Sequence, residues 1–300
     1  SWRARLMVVV RLTGGLGNQM FQYAAGRALA DRQGAELLLD TRAFGHALAF
    51  QAYTRRAYAL APFKLRARLA TAADLDDWPV WVEEAGTRLR FLRPLFRRWH
   101  FESAITYDPD MLTLHEPVCL VGYWQSERYF SEITDLIRAD FALRQPLAGA
   151  NSKLLELAHR GASVGLHVRR GDLVSLDNAA QVHGLCSVDY YRRAISLVKE
   201  RFPECRFLVF SDDPQWARAE LPLDPSAVFV TGNAETPEQD LALMRACKHH
   251  IIANSSFSWW AAWLGHSPEQ IVIAPSPWYA SPKLDARDLA IARWQYIDRL

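Results

Sequence analysis

The sequence predicts an α/β protein in two halves, the first irregular and the second a regular, doubly wound parallel sheet. Three observations carry this. Short apolar runs bounded by turn residues alternate with stretches of helical period through most of the chain. The length of 300 residues suits two domains of ~100–200 residues each. Residues 141–152, with Pro146 and Gly149, make a linker-like break near the middle.

The first strand is expected over residues 7–12, where three consecutive valines run into Thr13-Gly14-Gly15. Phe21, Ala24, Ala25, Ala28 and Leu29 then recur at helical spacing, and Gly34 can end that helix. Residues 36–40 form a second short strand, completing a βαβ opening. From 41 to 117 the stretch is rich in Arg, Trp and Pro and is expected to hold short helices and loops. A strand follows at 118–124 and a helix at 127–140. The second half predicts strands at 163–168, 206–211, 227–231, 250–253 and 270–274. Helices are expected between them at 188–201, 214–220, 237–248 and 257–265.

Half the residues are hydrophobic, enough for a sizeable core, so a disordered or fibrous chain is excluded. The balance of 35 basic and 33 acidic residues gives a formal charge of +2 and does not announce a nucleic-acid partner. No apolar run approaches the ~20 residues of a membrane span. The arginine-rich stretch Arg88 to Arg98 reads as a solvated face, with contact to anionic lipid as the minority reading. Met7 has the look of a start, which would make the first six residues an extension. Cys119, Cys186, Cys205 and Cys247 lack metal-cage spacing and read as reduced core thiols of a cytosolic protein.

In open parallel sheets ligands bind beyond the carboxyl ends of the strands, and four segments lie there. The first, Thr13 to Gln19, follows a strand and starts a helix. Its free N–H groups suit an anion or a sugar, and its glycines equally suit a tight turn. It is neither a dinucleotide fingerprint nor a Walker loop. The second, His167-Val168-Arg169-Arg170-Gly171-Asp172, leaves a buried strand with two guanidinium groups, whose planar fork matches phosphate. Asp172 can hold one arginine while the other faces a ligand, or the segment is an internal ion pair. The third, Asn254-Ser255-Ser256-Phe257-Ser258, offers serine hydroxyls and helix N–H groups, either as an anion cradle or as an ordinary N-cap. Upstream, Asp240 either complements a helix dipole or accepts from the N–H edge of a purine. The fourth, Ser211-Asp212-Asp213-Pro214, is most simply an N-cap.

Asp108-Pro109-Asp110 spells a D-x-D but follows no clear strand and is discounted. His249 and His250 are expected on opposite faces of a strand, unable to clamp one metal. Trp259, Trp260 and Trp263 are expected in the core. Tyr123-Trp124-Gln125, at a strand end, offers aromatic faces for a sugar ring.

These segments together resemble the α-1,2-fucosyltransferase family. The block Gly14-Gly15-Leu16-Gly17-Asn18-Gln19-Met20-Phe21-Gln22-Tyr23 matches that family at every position. Residues 167–172 fit its His-x-Arg-Arg-x-Asp block, and Asn254 to Trp260 resemble its C-terminal block. The likeness runs from about Met7 to Ala274 and misses the stretch from Thr41 to Pro117.

The resemblance implies two Rossmann-like domains facing across a cleft, the B-type glycosyltransferase fold. Residues 1–148 would form the acceptor side and 149–300 the domain that binds GDP-L-fucose. It further implies that Arg169 is catalytic at the diphosphate, with His167 beside the nucleoside and Asp240 on the guanine edge. Ser255 and Ser256 would hold phosphate oxygens, and Gly17, Asn18 and Gln19 would complete donor binding. Arg170, Asp172 and Asp212 would support them, and Tyr123, Trp124 and Gln125 would meet the acceptor. The family's reaction is inverting and metal-independent, placing fucose on the 2-hydroxyl of a terminal galactose. No cofactor or nucleic acid is expected, and membrane contact is at most peripheral, at the inner face. For the general base, Asp172 and the leaving phosphate both remain open. The alternatives are another GDP-sugar transferase with a different linkage, and a non-catalytic binding protein.

Overall fold

The computed structural model describes residues 6–44, 57–115, 117–171, 182–265 and 267–300. Two compact units divide the chain: Ser1–Arg144 with Arg287–Leu289, and Gln145–Ala286 with Ala290–Leu300. The short return of 287–289 to the first unit has no signature in the sequence. It is fixed by Asp288, whose carboxylate accepts from the Tyr107 N–H at 2.8 Å and pairs with Arg128 at 3.1 Å.

The first unit contains β1 (Met7–Arg11), α1 (Leu16–Gln33), β2 (Glu36–Asp40), β3 (Arg68–Leu69), α2 (Val80–Arg88), β4 (Trp99–Phe101), β5 (Val118–Val121) and α3 (Thr134–Asp140). Its sheet is parallel, in the order β3-β2-β1-β5-β4. Val8, Val9 and Val10 are all fully buried because β1 is covered on both faces, as in parallel sheets generally. α1 lies so close to β1 that a Cβ at Gly26 would sit 2.2 Å from Val10 Cγ2. The stretch from 41 to 117 holds more than short helices and loops: β3 and β4 extend the sheet at both edges. Their two and three residues are too few to show a period. The single helix expected over 127–140 is broken into turns at Glu127–Tyr129 and Ser131–Ile133 before α3 begins. Phe130, fully buried at φ −126°, interrupts the helical path.

The second unit contains α4 (Ala150–His159), β6 (Ser163–Val168), α5 (Val188–Arg201), β7 (Arg206–Ser211), α6 (Pro214–Glu220), β8 (Val228–Phe229), α7 (Pro237–Ala246), β9 (His249–Ile251), α8 (Ser256–Leu264), β10 (Val272–Ser276) and β11 (Gln295–Asp298). All its strands are parallel, in the order β11-β10-β9-β6-β7-β8. The chain therefore runs outward from β6 through β7 to β8, then returns to the other side of β6 with β9. That reversal opens a crevice between the carboxyl ends of β6 and β9. The same reversal occurs in the first sheet between β1 and β5.

Trp259, Trp260 and Trp263 are core residues on α8, and all four cysteines are buried free thiols. Among the described residues no helix is long and apolar enough to cross a membrane.

Candidate active site

The reversal point of the second sheet gathers the second and third segments. Val168 ends β6, and Arg169 and Arg170 leave it in different roles. The Arg170 N–H donates to Asp212 Oδ1 at 2.8 Å. Its guanidinium lies 4.0 Å over the Trp216 ring and 3.7 Å from Asp213 Oδ2. Arg170 thus staples the end of β6 to the end of β7. Asp172 lies outside the described residues; Asp212 and Asp213 make these contacts with Arg170. Asp213 also caps α6, accepting from the Trp216 N–H at 3.1 Å.

The charge of Arg169 falls on two imidazoles, His167 and His183. Burial, and then Arg169, pushes His167 down to about 3, and the same two causes lower His183. Both rings are therefore neutral near pH 7. The His167 ring packs 5.3 Å from Phe257 in the first turn of α8, and its buried Nδ1 has no hydrogen-bond partner among the described residues. A buried ring nitrogen with no partner is costly unless a ligand completes it. Sequence reasoning missed His183, which lies outside every strand-end motif. Asn254 places it, its Nδ2 donating to the carbonyls of His183 (2.8 Å), Gly184 (3.0 Å) and Trp278 (3.1 Å).

Ser255 stands at the N-cap of α8 in extended conformation, buried, and its hydroxyl makes no capping bond. The ordinary N-cap reading therefore leaves this hydroxyl unexplained. Ser258 turns inward to the carbonyls of Ala253 and Ser255. Asp240 lies in the first turn of α7 and accepts from Asn233 Nδ2 at 2.7 Å. Asn233 in turn meets Asn151, which reaches Gln239 at 2.6 Å, so the carboxylate ends a chain of amides. Burial pushes its carboxyl up from the usual aspartate range.

In the first unit the Gly-rich block and the Tyr-Trp-Gln segment meet at the β1/β5 reversal. Gln125 Nε2 donates to Asn18 Oδ1 at 2.9 Å, while Gln22 bonds Thr13 and the Gly122 carbonyl. Gly14 has φ +75°, and a Cβ there would meet Asn18 Nδ2 at 2.7 Å, so glycine is required. Gly17 is buried in the first turn of α1.

Two expectations need correction here. Gln19 is fully buried and its amide is used inside the fold. It donates to the Gly14 and Ala57 carbonyls and accepts from the Ala59 N–H. It braces the loop and has no amide group to offer a donor. Trp124 is also fully buried, at φ +56°, stacked 5.7 Å from His100 with Tyr129 edge-on at 5.7 Å. Its ring has no open face for a sugar. Tyr123 is 40% exposed and remains accessible. Glu102, which the sequence did not single out, holds the bend. Its oxygens accept from the Tyr123 N–H at 2.8 Å and the Trp124 N–H at 2.9 Å, and burial raises its carboxyl above the usual range. Asp108 of the D-x-D pairs with His100 at 2.9 Å and accepts from the Asp110 N–H, a structural role.

Known proteins share this chain's pattern. It is 35% identical over 299 residues to an α-1,2-colitosyltransferase of Escherichia coli, covering 98% of this chain and 99% of that protein. It is 27% identical over 260 residues to galactoside α-(1,2)-fucosyltransferase 1 of Saimiri boliviensis boliviensis, covering 84% of this chain and 63% of that one. A GDP-complexed variant of Arabidopsis thaliana FUT1 has the same fold at a TM-score of 0.52 and 13% identity, over 91% of this chain and 71% of that one. The fold is the B-type glycosyltransferase fold, with its two parallel sheets. The family model for glycosyl transferase family 11 matches residues 102–298, from the bend that Glu102 braces through both arms of the β6/β9 crevice. The chain belongs to glycosyl transferase family 11 and is a glycosyltransferase of the α-1,2-fucosyltransferase type.

Proposed function

We propose that this enzyme transfers L-fucose from GDP-L-fucose to the 2-hydroxyl of a terminal β-galactose, with inversion and without a metal ion. One observation carries the reading: Arg169, His167 and the Ser255–Ser256 start of α8 converge at the reversal point of the second sheet. Breaking a glycosyl–phosphate bond builds negative charge on the departing diphosphate and positive charge on the sugar carbon. A fixed guanidinium and the first N–H groups of α8 stabilise that charge more in the transition state than before it. The neutral His167 ring adds no second positive charge beside Arg169, and its Nδ1, without a partner among the described residues, would accept a bond from the donor or donate one to it. Asp240 would accept from the guanine edge, its amide neighbours fixing the carboxylate in place. Tyr123 and Gln125 would line the acceptor side.

A second reading has the donor as GDP-colitose, favoured by the 35% identity to a colitosyltransferase along nearly the whole chain. Colitose is L-fucose without the 3-hydroxyl. A site that hydrogen-bonds that hydroxyl rejects the deoxy sugar strongly, because its own polar group is left unpaired. Side-by-side turnover of the two donors on galactosides, with and without EDTA, decides the matter. A clear preference for GDP-colitose replaces the donor, and loss of turnover in EDTA overturns the role given to Arg169.

A further inference from the structure

The arginine-rich stretch is not absorbed by the reaction, and its surroundings are unusual. Between positions 81 and 95 four large apolar side chains face solvent: Trp81 at 61%, Leu89 at 44%, Phe91 at 76% and Leu95 at 73%. Exposed apolar residues so close together on one segment mark an interaction surface. The exposure is enforced by the fold. The inner face of α2 is pinned to the sheet by Val82 and by Gly86, where a Cβ would lie 2.3 Å from Phe101. α2 cannot roll to bury Trp81, whose ring instead meets Phe96 edge-on at 5.9 Å. The turn Arg90–Leu95 is fastened to α2 by Arg93, whose Nε donates to the Gly86 carbonyl at 2.9 Å.

Residues 88–98 carry five arginines and no acidic residue. Arg88, Arg90, Arg97 and Arg98 are exposed. Of the carboxylates beside the segment, Glu83 is held by Arg11 at 2.6 Å, whereas Asp77 pairs with Arg98 at 3.3 Å at the edge of the patch. We propose that this segment docks the protein on an anionic lipid bilayer, with Trp81, Phe91 and Leu95 entering the interface and the arginines meeting phosphate headgroups. Alternating apolar and cationic groups suit a surface that is apolar just below its negative charge. A second copy of the chain is disfavoured as occupant, because it would bring five more arginines to face these. The inference does not depend on which sugar is transferred.

The test is co-sedimentation of the full chain with vesicles of mixed phosphatidylglycerol and phosphatidylcholine, or of phosphatidylcholine alone. Binding to the mixed vesicles only, weakening with added salt, is expected. The double variant Phe91→Ser/Leu95→Ser should lose about tenfold or more in partitioning. Each of Arg90→Gln and Arg97→Gln should lose about fivefold. All variants should keep wild-type circular dichroism and turnover of a soluble galactoside. Equal binding to neutral vesicles overturns the proposal. So does vesicle binding that ignores the Phe91/Leu95 change but yields to polyuridylate, which makes the patch a polyanion surface. A lipid-free dimer abolished by the same double variant makes it a self-association face and overturns it too.

Discussion

Arg169 and Arg170 are chemically identical neighbours that the fold separates by what surrounds them. Arg170 is stacked on Trp216 and bonded through its N–H to Asp212, while the charge of Arg169 falls on His167 and His183. Arg169→Ala should lower kcat by about 10²–10³, the usual effect of deleting a group that stabilises developing negative charge, with the circular dichroism spectrum unchanged. Arg170→Ala should instead cost about 0.5–1 kcal/mol in urea unfolding, the worth of a cation–π stack, and keep most of the turnover. Equal loss of turnover in both variants would contradict the division of labour. The sequence announces the arginine pair but not its division, because Trp216 and Asp212 lie more than forty positions away and reach Arg170 only through the β6–β7 pairing. Gln19 and Trp124 show the same limit. An amide and an indole at strand ends look like ligand contacts until their burial and their partners are known.

Buried His250 gives a pH signature at the same scale. Its Nε2 lies 2.8 Å from the Met244 carbonyl and its Nδ1 3.1 Å from Gln270 Nε2, so the neutral ring is satisfied on both sides. Burial holds its pKa at about 4, below the ordinary 6.5. Between those values the unfolded chain binds the proton and the folded chain does not, so stability falls as pH drops through the window. The loss attributable to this ring is on the order of 3 kcal/mol. His250→Gln should reduce, without abolishing, the pH dependence of the urea midpoint between pH 6.5 and 4, since His167 and His183 are lowered too. An unchanged slope would remove His250 as a contributor.

At the scale of elements, what was legible is what carries its own punctuation. The spacing predicts α5 at 188–201 and α6 at 214–220, and both occur with those bounds. Ser187 accepts from the Tyr190 N–H and Asp213 from the Trp216 N–H, caps visible in the sequence. β6 and β7 likewise occur as predicted, since each is a buried six-residue run. β3, β4 and β11 were not legible: they are two to four residues long and are strands only because a neighbouring strand pairs with them. α4 was obscured because its first residues fall in the Pro- and Gly-containing break before it. One element contact is sharp enough to test. Gly26→Ala places a methyl group 2.2 Å from Val10 Cγ2 and must push α1 off β1. Overpacking of this kind costs about 1–3 kcal/mol, measurable as a lower urea midpoint.

For the molecule as a whole, the groups proposed to meet GDP all belong to the second unit, whereas the Gly-rich block that the resemblance assigns to donor binding belongs to the first. In that block Gln19 and Gln22 spend their amides on the fold, and Asn18 accepts from Gln125. Its specificity as a family signature therefore reflects the bracing of one loop as much as contact with a ligand. Hydrogen exchange separates the two roles. Saturating GDP, at about a hundred times its Kd, stabilises whatever binds it by about 2.7 kcal/mol. Amides at 167–170, 183–184 and 254–258 should then gain protection, while those at 13–19 and 122–125 exchange as in the free enzyme. Protection of equal size in the first-unit segments would place Asn18 and Gly17 at the nucleotide together with the reversal point between β6 and β9, as the resemblance implies.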